Sequence, residues 1–150
     1  MRLSTSKRLQ VLRRPGDWIT RFSVDPMTVR ELQQALRDFA AEREWEQFHS
    51  PRNLILALCG EAGELAELLQ WTDDAQVPGW LEDPSNMQNL RHELADVFSY
   101  LLRISDVCGV DIESALVEKI ELNQTRYPVT LAKGTAKKYT QLTGSDSAGP

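Results

Sequence analysis

The sequence predicts an all-α fold, and three observations lead to that prediction. Apolar residues recur at spacings of three and four in four stretches of the chain. Residues typical of helix starts precede these stretches. No segment shows the sustained alternation of apolar and polar residues that is typical of a strand. The chain of 150 residues is long enough for one domain with a buried core. We therefore expect a four-helix bundle, with a leader before the first helix and an arm after the last.

The first two predicted helices begin at residues that can satisfy free backbone N–H groups. Thr28 and Glu31 have the spacing of a capping box, in which a hydroxyl and a carboxylate each accept one such bond. Ser50 and Pro51 suit the cap and the first position of a second helix. We expect this second helix to run to about Trp71.

Turn residues separate the second helix from two later ones. Residues 72–84 contain Asp-Asp, Pro-Gly and Asp-Pro pairs, which predict the longest internal loop. A third helix is expected from near Ser85 to just before Gly109, and Asp111 is expected to cap a fourth that ends at residues 126–128. The apolar stripe of the third helix should face the core and consists of Met87, Leu90, Leu94, Val97, Leu101 and Ile104.

The charge distribution excludes one class of function and divides the chain. A formal net charge of −5 argues against general nucleic-acid binding, which needs a basic face. Residues 1–25 hold six Lys or Arg against two Asp, whereas residues 26–150 hold eleven against twenty acids. We expect a disordered leader over 1–25, a domain over 26–140 and a disordered tail over 141–150. An organellar transit peptide at the start of the leader stays an open alternative.

Membrane and redox features favour a cytoplasmic protein. No apolar run approaches the length of a membrane span. Cys59 and Cys108 both lie in apolar helical patterns, which predicts small buried side chains. The sequence has no CxxC pair or Cys/His cluster, so we expect no structural zinc site and a reduced intracellular compartment.

Two acidic pairs give the strongest functional signal. Glu61 and Glu64 lie three residues apart in the second predicted helix, and the third helix repeats the spacing with Glu93 and Asp96. Side chains at this spacing point in one direction, about one helical turn apart. Two such helices packed together would direct four carboxylates at one volume, where a divalent cation would relieve their repulsion. A single Glu-x-x-Glu is usually a solvated surface, so the joint pattern carries the prediction.

Neighbouring residues support a site for a hard cation. Gly60 and Gly63 each cost a helix about 1 kcal/mol relative to Ala, which suggests that something approaches the backbone closely. Glu67 extends the acidic face by one turn and could hold an additional ion. A di-iron centre would need Glu-x-x-His on two helices, and the residue three before His92 is Asn89. Oxygen ligands alone favour Mg²⁺, with Mn²⁺ as a substitute.

Several motifs together resemble the all-α nucleoside triphosphate pyrophosphatases, the MazG-like superfamily. The two acidic pairs are similar to the metal motif of that superfamily. The resemblance is closer to its dCTP pyrophosphatase branch, through residues 45–54, 69–71, 123–128 and 133–140. It covers residues 20–140, and several separate motifs agree.

The resemblance implies a Mg²⁺-dependent hydrolase that converts dCTP, or modified dCTP, to dCMP and pyrophosphate and so cleans the nucleotide pool. The metal ligands that it implies are Glu61, Glu64, Glu93 and Asp96. Glu61 or Glu64 would also orient or deprotonate the attacking water. The alternatives are hydrolysis of dUTP or of many nucleotides, or a non-catalytic helical interaction module.

The resemblance also implies a nucleobase pocket of aromatic and polar side chains. Its members would be Trp45, Gln47, Phe48, His49, Trp71 and Tyr100. Tyr100 follows Asp96 by four residues and shares its helix face, which suits a base stacked beside its phosphates. The competing interpretations are core positions for the aromatic residues and a structural role for His49.

A basic group on the fourth predicted helix resembles the phosphate-binding positions of the family. Lys119, Asn123 and Arg126 share one helix face, although a solvated basic face would look the same. Where the branch tends to place a polar residue, often His, this chain has Leu36, which leaves the preferred base open. A four-helix unit with its site on one open face commonly completes the pocket from a neighbouring chain, and the resemblance likewise implies a homodimer or homotetramer.

Overall fold

The computed structural model describes residues 27–142, and all regular structure in that range is helical. Its six α-helices are α1 (Val29–Ala41), α2 (Pro51–Glu67), α3 (Val77–Glu82), α4 (Pro84–Val107), α5 (Ile112–Arg126) and α6 (Val129–Ala132). Short 3₁₀ turns lie before α2 and after α6. The all-α prediction is confirmed, and the second, third and fourth predicted helices correspond to α2, α4 and α5.

Local capping sets the starts of three helices. The Thr28 hydroxyl accepts from the Glu31 N–H at 3.3 Å, and the Glu31 carboxylate accepts from the Thr28 N–H at 2.8 Å. The Ser50 hydroxyl accepts from the Asn53 N–H at 3.2 Å, and the Asp111 carboxylate caps α5. These helices therefore begin where the sequence predicts.

The end of α2 differs from the prediction. The helix ends at Glu67 rather than near Trp71. Beyond it the backbone tightens into i→i+3 bonds, from Leu69 N to Ala66 O at 3.3 Å and from Thr72 N to Leu69 O at 2.9 Å. Such bonds satisfy the last carbonyls of a helix while turning the chain off its axis. Trp71 therefore does not share the helix face of the acidic pair.

The segment predicted as a loop, residues 72–84, contains the short helix α3. Pro78 lies in the first turn of α3, and Pro84 is the first residue of α4. Asp83 caps α4, because its carboxylate accepts from the Ser85 N–H at 2.8 Å. Proline lacks an N–H and has a fixed φ, so residues that break a helix interior can equally begin a helix.

The packing of α2 against α4 forms the centre of the fold, and α1 and α3 also pack on α4. Ala40, Leu54 and Leu102 contribute buried apolar side chains from α1, α2 and α4. A polar bond joins α1 to α4, because Gln33 Nε2 donates to Ser105 Oγ at 3.0 Å. The contact between α2 and α4 brings the two acidic pairs to one side of the fold.

Much apolar surface is exposed in the single chain. The sequence predicts that Leu94 and Leu101 face the core, yet they are 50% and 40% exposed. On α5, Leu116 and Ile120 are 59% and 49% exposed. All four side chains lie on helix faces that the described part of the chain leaves uncovered. Local spacing alone therefore overestimates the number of core residues.

Three further sequence expectations concern the cysteines, membrane-spanning helices and the two ends of the chain. The sequence predicts buried thiols, but both are exposed: Cys59 lies on an uncovered face of α2, and Cys108 lies in the turn that follows α4. Between residues 27 and 142, no helix has the length and apolar character required to cross a membrane. The predicted leader over 1–25 lies outside the described residues, as does most of the predicted tail, and the domain boundaries stay predictions.

Candidate active site

Three carboxylates from α2 and α4 lie together and form what we term the carboxylate cluster. Oxygen atoms of Glu61, Glu64 and Glu93 all lie within 4.8 Å of one another. The three-residue spacing on α2 aligns the first two, and the packing of α4 supplies the third. Carboxylate oxygens are the ligands that hard divalent cations prefer. The donor set therefore suits a divalent metal ion.

Asp96, the fourth predicted ligand, lies near the carboxylate cluster but outside that group of three. Desolvation raises the pKa of Glu61, and the charges of Glu64, Asp96 and Glu93 raise it further. Asp96 therefore repels Glu61 while its own side chain is exposed to solvent. A cation bound among these groups would neutralise the repulsion.

Tyr100 connects the carboxylates to an adjacent pocket. Desolvation raises the pKa of its hydroxyl, and the charges of Glu61 and Asp96 raise it further. The same side chain lines the pocket beside the 3₁₀ turn Trp45–Phe48. One residue of α4 thus borders both parts of the candidate site.

The pocket is a cavity of about 300 Å³ lined by aromatic and polar side chains. Its lining residues are Trp45, Phe48, His49, Asn53, Leu54, Ala57 and Tyr100. Aromatic side chains with a few polar groups form a suitable surface for a planar heterocycle. Four of the six residues predicted for a nucleobase pocket therefore lie together here.

The other two predicted pocket residues are not part of the pocket lining. Trp71 is 89% exposed, because α2 ends at Glu67 and the indole follows the turn beyond it. Gln47 Nε2 donates to the backbone carbonyl of Glu44 at 2.8 Å, which uses the amide locally. Glu44 has a φ of 53°, a left-handed conformation that redirects the chain into the 3₁₀ turn.

Sequence reasoning missed two polar residues beside the pocket. Asn53 Nδ2 donates to the Phe48 carbonyl at 3.0 Å and fixes the 3₁₀ turn against α2. Asn53, Ala57 and Glu61 follow one another at four-residue intervals, which would have placed Asn53 toward the helix face of Glu61. Arg103 Nη2 lies 3.2 Å from His49 Nδ1, and an Arg inside an apolar part of α4 was the available signal.

Three residues of α5, Lys119, Asn123 and Arg126, which we term the α5 basic group, make no direct polar contact with the carboxylate cluster in the described part of the chain. Within residues 27–142, no hydrogen bond or ion pair joins Lys119, Asn123 or Arg126 to α2 or α4. The Arg126 guanidinium instead lies 4.8 Å from the ring centroid of Tyr139, and the Asn123 carbonyl accepts from the Tyr127 N–H at 2.8 Å. Among the described residues, the single chain therefore gives this group no direct polar contact with the carboxylates.

The two glycines of α2 face open space. A Cβ atom placed on Gly60 or Gly63 would meet no atom within 4 Å apart from its chain neighbours and the adjoining backbone of its own helix. The described part of the chain therefore does not itself supply the close approach that the sequence suggests at these positions.

Comparison with known proteins adds to this geometry. A MazG-like family model matches residues 56–142. dCTP pyrophosphatase 1 of Rattus norvegicus is 48% identical over 121 residues, which cover 81% of this chain and 71% of the rat protein. dCTP pyrophosphatase 1 of Homo sapiens is 46% identical over 125 residues, which cover 81% of this chain and 72% of the human protein.

A solved structure has a similar fold. The crystal structure of a pyrophosphatase from Archaeoglobus fulgidus DSM 4304 matches with a TM-score of 0.64 and 33% sequence identity. The match covers 69% of this chain and 95% of the archaeal one. By these similarities in sequence and fold, the chain belongs to the MazG-like family.

Proposed function

We propose that this chain is a hydrolase that converts dCTP to dCMP and pyrophosphate with Mg²⁺ as its metal ion. The observation that carries the proposal is the carboxylate cluster beside an aromatic pocket, with Tyr100 bordering both. A metal-bound triphosphate and its base need two such adjacent regions. The names of the rat and human relatives, both dCTP pyrophosphatases, support the choice of base.

The carboxylate cluster and Asp96 would hold Mg²⁺ through oxygen atoms. A bound divalent cation supplies positive charge to the triphosphate and acidifies water in the site. Glu61 or Glu64 would orient that water or take its proton, because their carboxylates lie where the two helices meet.

The pocket would bind the cytosine ring by stacking and by hydrogen bonds to its edge. Trp45 and Phe48 keep exposed ring surface that a planar base can cover. His49 and Asn53 place polar groups in the same lining and would contact the heteroatoms of the base.

The α5 basic group would bind the phosphates within a homodimer or homotetramer. The exposed apolar side chains of α4 and α5 support such an assembly, because large apolar patches on a single chain commonly mark protein interfaces. A second copy packed there would bury this surface and could bring one chain's basic group near another chain's carboxylates.

A substrate panel tests the proposed activity. Pyrophosphate release would be measured with dCTP, 5-substituted dCTP, dUTP and dATP, each with Mg²⁺, with Mn²⁺ or with EDTA. We expect dCTP or its 5-substituted form to have a kcat/KM at least about tenfold above dUTP, and EDTA to abolish turnover. Equal turnover of dUTP would favour the broad-specificity alternative, and no release from any nucleotide would contradict the enzymatic proposal.

A further inference from the structure

A network of charged side chains lies beside the pocket, between α1 and α4. Asp106 of α4 accepts from Arg103 at 2.8 Å through Oδ2 and forms an ion pair with Arg37 of α1. Arg103 also places Nη2 3.2 Å from Nδ1 of His49 in the pocket wall. The network therefore connects α1, through α4, to a side chain of the candidate site.

The placement of Arg103 indicates a role beyond pairing with Asp106. Its side chain is only 9% exposed, and its Nε has no hydrogen-bond partner among the described residues. Burying a guanidinium with an unsatisfied N–H is costly. Arg37 already pairs with Asp106, so neutralising that carboxylate does not require Arg103. Both arginines pair with Asp106, but of the two it is Arg103 that contacts His49.

The bond from Arg103 determines which nitrogen of His49 carries the proton. A guanidinium can only donate, so Nδ1 must accept and the neutral ring must carry its proton on Nε2. Desolvation and the positive charge of Arg103 lower the pKa of His49, whereas Glu46 acts in the opposite direction. The ring is therefore neutral at neutral pH and presents Nε2–H as a donor.

We propose that Arg103 is a positioning residue that holds His49 as a neutral Nε2–H donor in the wall of the nucleobase pocket. The inference rests on the proposed function for the identity of the ligand. A fixed donor matches N3 of cytosine, which is an acceptor, and opposes the N3–H of uracil, which is a donor. Arg103 thereby becomes a determinant of the preference for cytosine over uracil.

Histidine NMR tests the first part of the inference without any substrate. The chain has two histidines, so His92 serves as an internal reference for ¹⁵N-labelled imidazole signals. We expect His49 of the free protein to be the Nε2–H tautomer. In Arg103→Met, a mixture of tautomers should appear and the titration midpoint of His49 should rise, because a positive neighbour is lost. The charged or titratable groups around His49 in this titration are Arg37, Glu46, Tyr100, Arg103 and Asp106.

Arg37→Met is the matched control, because it removes the other arginine from Asp106 and keeps the donor to His49. We expect it to retain the wild-type tautomer and midpoint. An unchanged tautomer and midpoint in Arg103→Met would overturn the inference. If Arg103→Met has a reduced helical circular dichroism signal, Arg103→Leu carries the same measurement, because leucine likewise has no hydrogen-bond donor.

Nucleotide kinetics test the second part. In Arg103→Met we expect KM for dCTP to rise about tenfold with kcat changed less than about threefold, and the dCTP over dUTP ratio of kcat/KM to fall about tenfold. Arg103→Lys, which keeps a cationic donor, should restore part of the ratio. A changed tautomer with an unchanged ratio would overturn the role in specificity. Failure of the wild type to hydrolyse any nucleotide would instead contradict the proposed function, and the NMR result would stand.

Discussion

The acidic and basic halves of the proposed site are built differently. The carboxylate cluster lies at the contact between α2 and α4, and a single chain brings oxygen atoms of its three members within 4.8 Å of one another. The α5 basic group lies on a helix whose apolar side chains, such as Leu116, are exposed to solvent. From this difference we infer that one chain suffices to build the proposed metal site, whereas the proposed phosphate-binding positions would need a further packing partner.

Removing one charge from the acidic half should have the largest effect. Glu93→Gln keeps the shape of the side chain but removes the ligand charge that α4 supplies. We expect kcat/KM for dCTP to fall at least about 100-fold in a pyrophosphate-release assay. Glu113→Gln, an exposed residue of α5, is the control and should stay within about twofold of wild type. If Glu93→Gln keeps an activity within about tenfold of wild type, Glu93 is not a ligand of the metal ion.

Disrupting the apolar face of α5 should have the next largest effect. A charge buried in an apolar interface is strongly unfavourable, so Leu116→Asp should shift sedimentation from oligomer to monomer. We expect kcat/KM for dCTP to fall by at least about 30-fold if the basic group acts across that interface. Val129→Asp, on an exposed side chain of α6, provides the matched control. A wild-type protein that sediments as a fully active monomer would contradict the assembly proposal.

A substitution within the α5 basic group should have a smaller effect. Arg126→Gln removes a charge-assisted bond to phosphate, so KM for dCTP should rise about tenfold while kcat changes less. Lys133→Gln, in the arm after α6, removes one exposed charge of the same sign and should leave KM within about twofold. Equal KM values for the two variants would indicate that Arg126 serves only its contact with the Tyr139 ring.

The smallest expected effect concerns thermal stability without metal. Here the substitution should stabilise the protein, whereas the substitutions above should impair it. The pKa of Glu61 is raised in the folded protein. The charged carboxylate therefore destabilises the fold at pH values above that pKa. The destabilisation disappears as the pH falls through the raised pKa and the carboxylate becomes protonated. Glu61→Gln should therefore raise Tm in EDTA at pH 7 by roughly 1 to 3 °C, with a smaller gain at pH 4. It should also weaken the stabilisation that Mg²⁺ gives to the wild type. A lower Tm in EDTA would show that the repulsion is not significant.

Features set by neighbouring residues could be predicted from the sequence. The capping box of Thr28 and Glu31 forms because both partners lie within one turn. The three-residue spacings of the acidic pairs likewise predict which side chains share a helix face, and the packing of α2 on α4 brings three of them together.

Features set by distant packing could not be predicted in the same way. Residues 68–71 have ordinary helix-forming side chains and no glycine or proline stop signal, so nothing local marks the end of α2 at Glu67. The contact between Arg103 and His49 joins residues 54 positions apart, and it depends on how α4 packs beside the 3₁₀ turn. Leu116 is exposed because the described part of the chain leaves its face of α5 uncovered, and helical periodicity does not report which faces are covered.

The indole of Trp71 has an optical consequence that follows from its position in the turn after α2. It is 89% exposed, and the fluorescence of an indole in water lies at longer wavelength than that of one in an apolar environment. A second copy or a nucleobase that covers this ring would shift its emission toward the blue. Because the chain has four tryptophans, a variant that keeps Trp71 as its sole indole would carry an intrinsic probe whose emission wavelength reports whether this end of α2 is open to solvent or covered.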